Sequence, residues 1–355
     1  MVPSDDTDDL RPGFDRWLAR ELPGHRVLSV DRPETGLSAR TLFLEVGADG
    51  GPAGRLTRSL VARLPPAGEG LFPAYDLAAQ GRLQSALADA GIPAVEPWTV
   101  EEDPSYVGAP FLLMARVPGR TVRNDRRYLT RGWLAEGTPE EQGRLHASFL
   151  DTLAAVHRLD PVDDAGVFAA ARRPTPTGTA PGGPTLAREL AWWADYLAWA
   201  GEGSAPAVFD EALTWCRDHL PPTEPPASVL WGDAHLGNAV YADDWTVAAV
   251  VDFELASVGP AELDLGWFLV LHAMTAERCG GEPPGFPDRA ATVDAYRDRL
   301  GRDLADLAWY ETFAALRSAA VTVRMAHLLA RQGIPDGWLA TANPTVSLLE
   351  RLVRS

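Results

Sequence analysis

Asp233, Asn238 and Asp252 stand in one compact block, LWGDAHLGNAVYADDWTVAAVVDFELASVGPAELD, over residues 230–264. Asn238 follows Asp233 by five residues, and Asp252 follows a short hydrophobic run. Two carboxylates and a carboxamide make a hard, oxygen-rich set. It suits magnesium, which keeps part of its water and takes the rest of its shell from phosphates. In phosphoryl transfer, Asp233 would orient an acceptor hydroxyl and take its proton, while Asn238 and Asp252 would hold the ion against nucleotide phosphates. A lone Asp at a strand end usually does no more than cap a turn. Two of them with an Asn at this spacing point to chemistry.

The elements that must position these groups are short. Residues 229–231 read as an apolar strand, and Gly232 lets the backbone turn so that Asp233 emerges into a loop. The chain returns at 239–241, and a second strand over 246–251 delivers Asp252. Upstream, apolar residues at helical spacing predict a helix over 10–24. Strands follow over 26–30, 40–46 and 59–64, which suggest an antiparallel sheet. A helix over 74–90 and a strand over 111–117, closed by Pro118-Gly119, complete this section. Helical patterns dominate beyond it, over 140–158, 186–200, 207–220, 290–300 and 304–332. Pro-rich stretches at 174–183 and 221–226 read as loops. The expected architecture is α+β and two-lobed: a small antiparallel-sheet lobe over 1–118 and a larger, mostly helical lobe over 119–355, with a cleft at the join.

WGDAHLGN followed by VVDFELASVGPAELDLGWF resembles the signature of the aminoglycoside phosphotransferase family, whose members share the protein-kinase-like fold. LAAVHRLDP at 153–161 and PFLLMARVPG at 110–119 are similar to that family more weakly. The resemblance implies ATP- and Mg2+-dependent phosphorylation of a hydroxyl on a small molecule, an aminoglycoside-like antibiotic or other natural product. Asp233 matches the catalytic base, Asn238 and Asp252 the metal ligands, and Asp264 an acidic support of the catalytic loop. Met114 would lie beside the adenine, with the backbone of Ala115 to Val117 along its edge. Gly36 and Ser38 fall where a nucleotide-covering turn belongs and would offer donors to phosphate; an ordinary hairpin turn is the alternative.

Three positions depart from the pattern. Trp231 stands where the family most often has His. Arg63 is the only cation on the strand that normally carries the phosphate-binding Lys, and the chain has no lysine, all 32 basic residues being Arg. Gln80 aligns where a Glu would hold that cation. Together these keep open a pseudokinase-like binding module without transfer. His235 reads as a solvated loop residue.

Composition bounds the partners. A net charge of −17 argues against nucleic acid, whose binders need a basic surface. Cys216 and Cys279 are far apart and lack partners at metal spacing. No stretch approaches 18 consecutive apolar residues and the N-terminus is acidic, so a soluble cytoplasmic protein with no membrane partner is expected. Trp192, Tyr196 and Trp199 share one helical face. That stripe reads as core, or else as the wall of an apolar acceptor or a nucleotide-independent carrier site. The sequence names neither the acceptor nor the choice of ATP over GTP, and oligomeric state is not legible in it.

Overall fold

The computed structural model describes residues 9–33, 38–48, 56–122, 127–161, 185–203, 205–331, 333 and 343–354. Helix α1 (Arg11–Glu21) buries Phe14, Trp17 and Leu18 against a sheet. Its strands are β1 (His25–Asp31), β2 (Arg40–Ala48), β3 (Leu56–Leu64), β4 (Pro97–Glu101) and β5 (Phe111–Ala115). They pair antiparallel in the order β1-β2-β3-β5-β4. Side chains alternate across a strand. Leu60, Ala62 and Leu64 therefore join the α1-side core, and Val61 and Arg63 take the opposite face. Helix α2 (Leu77–Asp89), capped by Asp76 accepting from Ala79 N at 2.8 Å, packs on β4 and β5.

The helical part holds α3 (Trp133–Glu136), α4 (Pro139–His157), α5 (Thr185–Gly201), α6 (Val208–Asp218), α7 (Glu262–Cys279), α8 (Arg289–Leu300), α9 (Leu307–Arg331) and α10 (Pro344–Arg354). Helix α9 packs against α5, α6, α7 and α10 at its centre. By length and composition α9 is apolar enough to cross a membrane, yet 61% of its apolar window is buried inside the fold, as in a core helix.

Two small antiparallel sheets carry the 230–264 block: β6 (Arg120–Thr121) with β8 (Ala239–Tyr241) and β9 (Val247–Val250), and β7 (Ala227–Leu230) with β10 (Ser257–Pro260). The strand expected over 229–231 stops at Leu230, and the one expected over 111–117 stops at Ala115. Strands β4, β6 and β10 were not predicted, because they are short and two of them hold Pro. Helix α7 was missed for a different reason. Residues 262–270 are all buried, so the helix has no polar side to give a 3.6-residue rhythm.

Candidate active site

Strand β7 ends one residue before the loop that presents Asp233. Gly232 has φ +88°, and a Cβ there would lie 2.0 Å from the Leu255 carbonyl oxygen, so only glycine fits. Asp264, in the first turn of α7, is fully buried. Its Oδ2 accepts the Trp231 backbone N–H at 2.7 Å and its Oδ1 that of Gly232 at 3.0 Å. His157 Nε2 donates to Oδ2 at 3.0 Å, and its Nδ1 meets the Tyr296 hydroxyl. Arg317 Nη2 donates to the Gly232 carbonyl at 3.0 Å. The turn is thus held from both backbone faces.

Both oxygens of Asp233 are engaged. Trp267 Nε1 donates to Oδ1 at 2.8 Å and Asn238 Nδ2 to Oδ2 at 2.8 Å. Asn238 Nδ2 also reaches the Asp233 carbonyl at 3.0 Å, which commits the amide nitrogen and leaves its Oδ1 as acceptor. His235 Nδ1 accepts from Gly237 N at 3.0 Å, so the neutral ring carries its proton on Nε2, 3.6 Å from Asp233 Oδ2. Burial alone would raise the Asp233 pKa. The charge of His235 and the donors from His235, Trp267 and Asn238 outweigh it and hold the carboxyl below its usual range. Burial works against the His235 imidazolium, but Asp233 and then Asp252 raise it above the usual histidine value. His235 is therefore part of the site, only partly exposed, and not the solvated loop residue the sequence suggested.

Asp252 follows β9 with φ +68°, a left-handed conformation that costs a non-glycine residue about 1–3 kcal/mol and persists where the surroundings impose it. Arg63 imposes part of it: Nη2 sits 2.8 Å from Asp252 Oδ1, and Nη1 donates to Thr41 Oγ1 at 3.1 Å. Gln80 is not among the hydrogen-bond partners of Arg63. The partner expected on α2 is replaced by the acid beyond β9. Glu254 Oε2 lies 4.0 Å from Arg63 and accepts from Ser38 Oγ at 2.7 Å, with Tyr75 Oη 3.2 Å from that hydroxyl. Burial, reinforced by the Asp252 charge, pushes Glu254 up to about 8. Trp231 Nε1 donates to the Val251 carbonyl at 2.9 Å, and its ring lies near Phe149 and Phe253. The indole thereby ties the Asp233 loop to the Asp252 segment.

Ser38, Arg63, Asp233, His235, Asn238, Asp252 and Glu254 line one cavity of about 660 Å³. Ser38 spends its hydroxyl on Glu254 here, although a phosphate-donor role was expected for it. Gly36 lies outside the described residues. Met114, Ala115 and Val117 do not line the cavity. Met114 is buried in an apolar cluster with Ala249, against which Val61, Val117, Val240 and Val251 pack. Ala115 pairs with Leu60 in the sheet, and the next amide, Arg116 N, donates to Ser59 O at 2.9 Å. Among the described residues no three His, Cys or acidic side chains cluster as a metal cage. A magnesium ion that draws most of its shell from phosphate and water needs fewer, and Asn238 Oδ1 with the Asp252 carboxylate fits that demand.

Residues 29–312 match the family described as phosphotransferase enzyme family. The chain belongs to that family. Rat acyl-CoA dehydrogenase family member 11 is 27% identical to this family member over 359 residues, covering 96% of the chain and 42% of the relative. The chain thus spans under half the length of the curated relatives it matches. A candidate aminoglycoside phosphotransferase of Ralstonia eutropha JMP134 superposes with a TM-score of 0.67 at 22% identity, covering 98% of this chain and 95% of that one. An aminoglycoside phosphotransferase in ternary complex with ADP and hygromycin B gives a TM-score of 0.55 at 14% identity, covering 96% and 97%. This phosphotransferase-family chain has their α+β, two-lobed, protein-kinase-like fold.

Two site residues escaped the sequence reading, Trp267 and Arg317. Trp267 follows Asp264 by three positions, so once α7 is known to be a helix both fall on the face turned to the loop. Arg317 stacks 4.7 Å from the Trp267 ring and fixes it. A hydrogen bond to a charged group contributes about 1.5–3 kcal/mol. Trp267→Phe, which keeps the ring and removes the donor, is expected to slow turnover about tenfold or more with nucleotide affinity unchanged. Steady-state kinetics beside nucleotide titration check this, and equal losses in both would assign Trp267 to general packing.

Proposed function

We propose that this family member transfers the γ-phosphoryl group of ATP, with Mg2+, to a hydroxyl of a small molecule. The observation that carries the reading is one cavity lined by Asp233, with both oxygens held by N–H donors, opposite Asp252 and Arg63. Asp233 orients the acceptor hydroxyl and takes its proton as the bond to phosphorus forms. Its lowered pKa makes it a weak base, so alignment and charge neutralisation supply most of the acceleration. Asn238 Oδ1 and Asp252 would hold the ion, which when bound neutralises charge on the phosphates. Arg63 brings a second cation, as a planar fork able to grip phosphate oxygens bidentately. In this reading Met114, Ala115 and Val117 form the adenine-side segment and Ser38 lies on the phosphate side, and of these Ser38 alone lines the described cavity. The lobes of this reading divide at 118/119, the enzyme works in the cytoplasm, and no nucleic acid takes part.

One observation favours a second reading, a binding module without transfer: Arg63 already neutralises Asp252, the carboxylate assigned to the metal. Thermal shift with ATP and Mg2+, followed by ADP release across a panel of hydroxylated acceptors, separates the two. Stabilisation with turnover of at least one acceptor is expected. Stabilisation with none would hand the protein to the binding reading. Asp252→Ala is expected to remove the magnesium-dependent part of the thermal shift, and a full shift in that variant would take Asp252 out of the metal site.

A further inference from the structure

The cavity beyond the carboxylates has a consistent chemical character. Leu71, Phe72, Leu271, Met274, Val321 and Met325 form its wall, contributed by α7, α9 and the 65–76 segment between β3 and α2. That segment is locked in place. The Tyr196 hydroxyl donates to Leu71 O at 2.8 Å, and Arg324 donates to Gly70 O at 3.1 Å while pairing with Glu69 at 3.0 Å and Glu202 at 2.7 Å. The wall is therefore a built surface and not a gap between loosely laid elements.

Three of its hydroxyls are already spent. Thr275 and Thr322 donate to carbonyls of their own helices at 2.8 and 2.7 Å, and Thr345 to Asn343 Oδ1 at 2.5 Å. In the described lining, acidic side chains occur only at the catalytic end: Asp233, Asp252 and Glu254, each holding a donor. The other charged residue of the described lining, apart from Arg63 and His235 at that same end, is Arg278, a cation. An ammonium group carried into this wall would be desolvated with no carboxylate among its described residues to meet it, which is costly. Apolar surface placed there gains from burial in proportion to its area. The 660 Å³ volume falls within the roughly 300–1,000 Å³ of small-molecule sites.

We infer that the acceptor is an alcohol with an apolar body and no cationic groups, which sets this chain apart from enzymes acting on polycationic sugars. The inference deepens the transfer reading above and rests on it for the word acceptor. Two chemically opposed sets of alcohols test it, 2-decanol, menthol and a hydroxysteroid against kanamycin and hygromycin B, each with Mg·ATP. ADP release gives turnover, and isothermal titration calorimetry gives binding. The best apolar alcohol is expected to exceed either polycation at least 100-fold in kcat/KM. Val321→Asp, which puts a carboxylate in the wall, is expected to weaken apolar binding at least tenfold; Met325→Gln serves the same purpose should the first variant fail to fold. A preference for kanamycin or hygromycin B overturns the inference and leaves the kinase reading standing. If no alcohol turns over, saturable apolar binding that Val321→Asp abolishes sustains the inference and sinks transfer. Absence of any saturable apolar binding overturns the inference.

Discussion

Asp233→Asn is expected to bind Mg·ATP with unchanged affinity and to transfer phosphoryl groups roughly a thousandfold more slowly, within the 10²–10⁴ range of a positioned general base. The geometry makes the loss twofold in origin. The amide cannot take the hydroxyl proton, and its NH2 must face one of two existing donors, Trp267 Nε1 or Asn238 Nδ2, each now 2.8 Å from a carboxylate oxygen. One side of the cradle is then donor against donor, and the acceptor hydroxyl loses its guide. Nucleotide titration by calorimetry, beside ADP release at saturating acceptor, reads the two effects separately. An Asp233→Asn enzyme of ordinary activity would remove Asp233 from the chemistry altogether.

Asp264→Ala is expected to act on the fold before it acts on the reaction. Three donors converge on this fully buried carboxylate: two consecutive backbone amides and the His157 ring. Each buried donor left unpaired costs about 1–3 kcal/mol. A loss of about 3–5 kcal/mol is expected, matching what removal of one partner from a buried ionic network costs. In a chain of this size that corresponds to a drop of about 4–7 °C in Tm. Asp264→Asn keeps one acceptor oxygen and should fall between wild type and Ala. Thermal and urea unfolding of both variants provide the check. An Asp264→Ala protein with unaltered Tm would mean that water satisfies these amides and that the brace is dispensable.

Legibility followed physical locality. Asp233, Asn238 and Asp252 were found because glycine, a strand end and a short loop place them together within one segment, where spacing in sequence fixes spacing in space. Arg63 was found because its strand takes the place that the family resemblance gives to the phosphate-binding cation, and it is the only cation there. Its partner was not found: the sequence pointed to Gln80, whereas the guanidinium reaches Asp252, 189 residues on, a pairing set only by how the sheet sits over β9. Helix α7 was hidden by its own burial, and with it went Trp267, whose indole N–H matters only once the helix is placed. His235 read as solvated because an isolated imidazole in a polar loop gives no sign that Gly237 will fix its tautomer or that Asp233 will lie beside it. Four strands of the five-stranded sheet and most long helices were legible from periodicity and Gly-Pro punctuation. The short strands β4, β6 and β10 gave no pattern of their own, whereas β7, β8 and β9, equally short, were legible from the glycine, turn and acid residues around them.

The 65–76 segment continues directly from β3, the strand that carries Arg63, and lays Leu71 and Phe72 into the cavity wall. One continuous stretch of backbone thus touches both ends of the site. A ligand that reaches from Phe72 to Arg63 therefore meets residues set by a single run of chain.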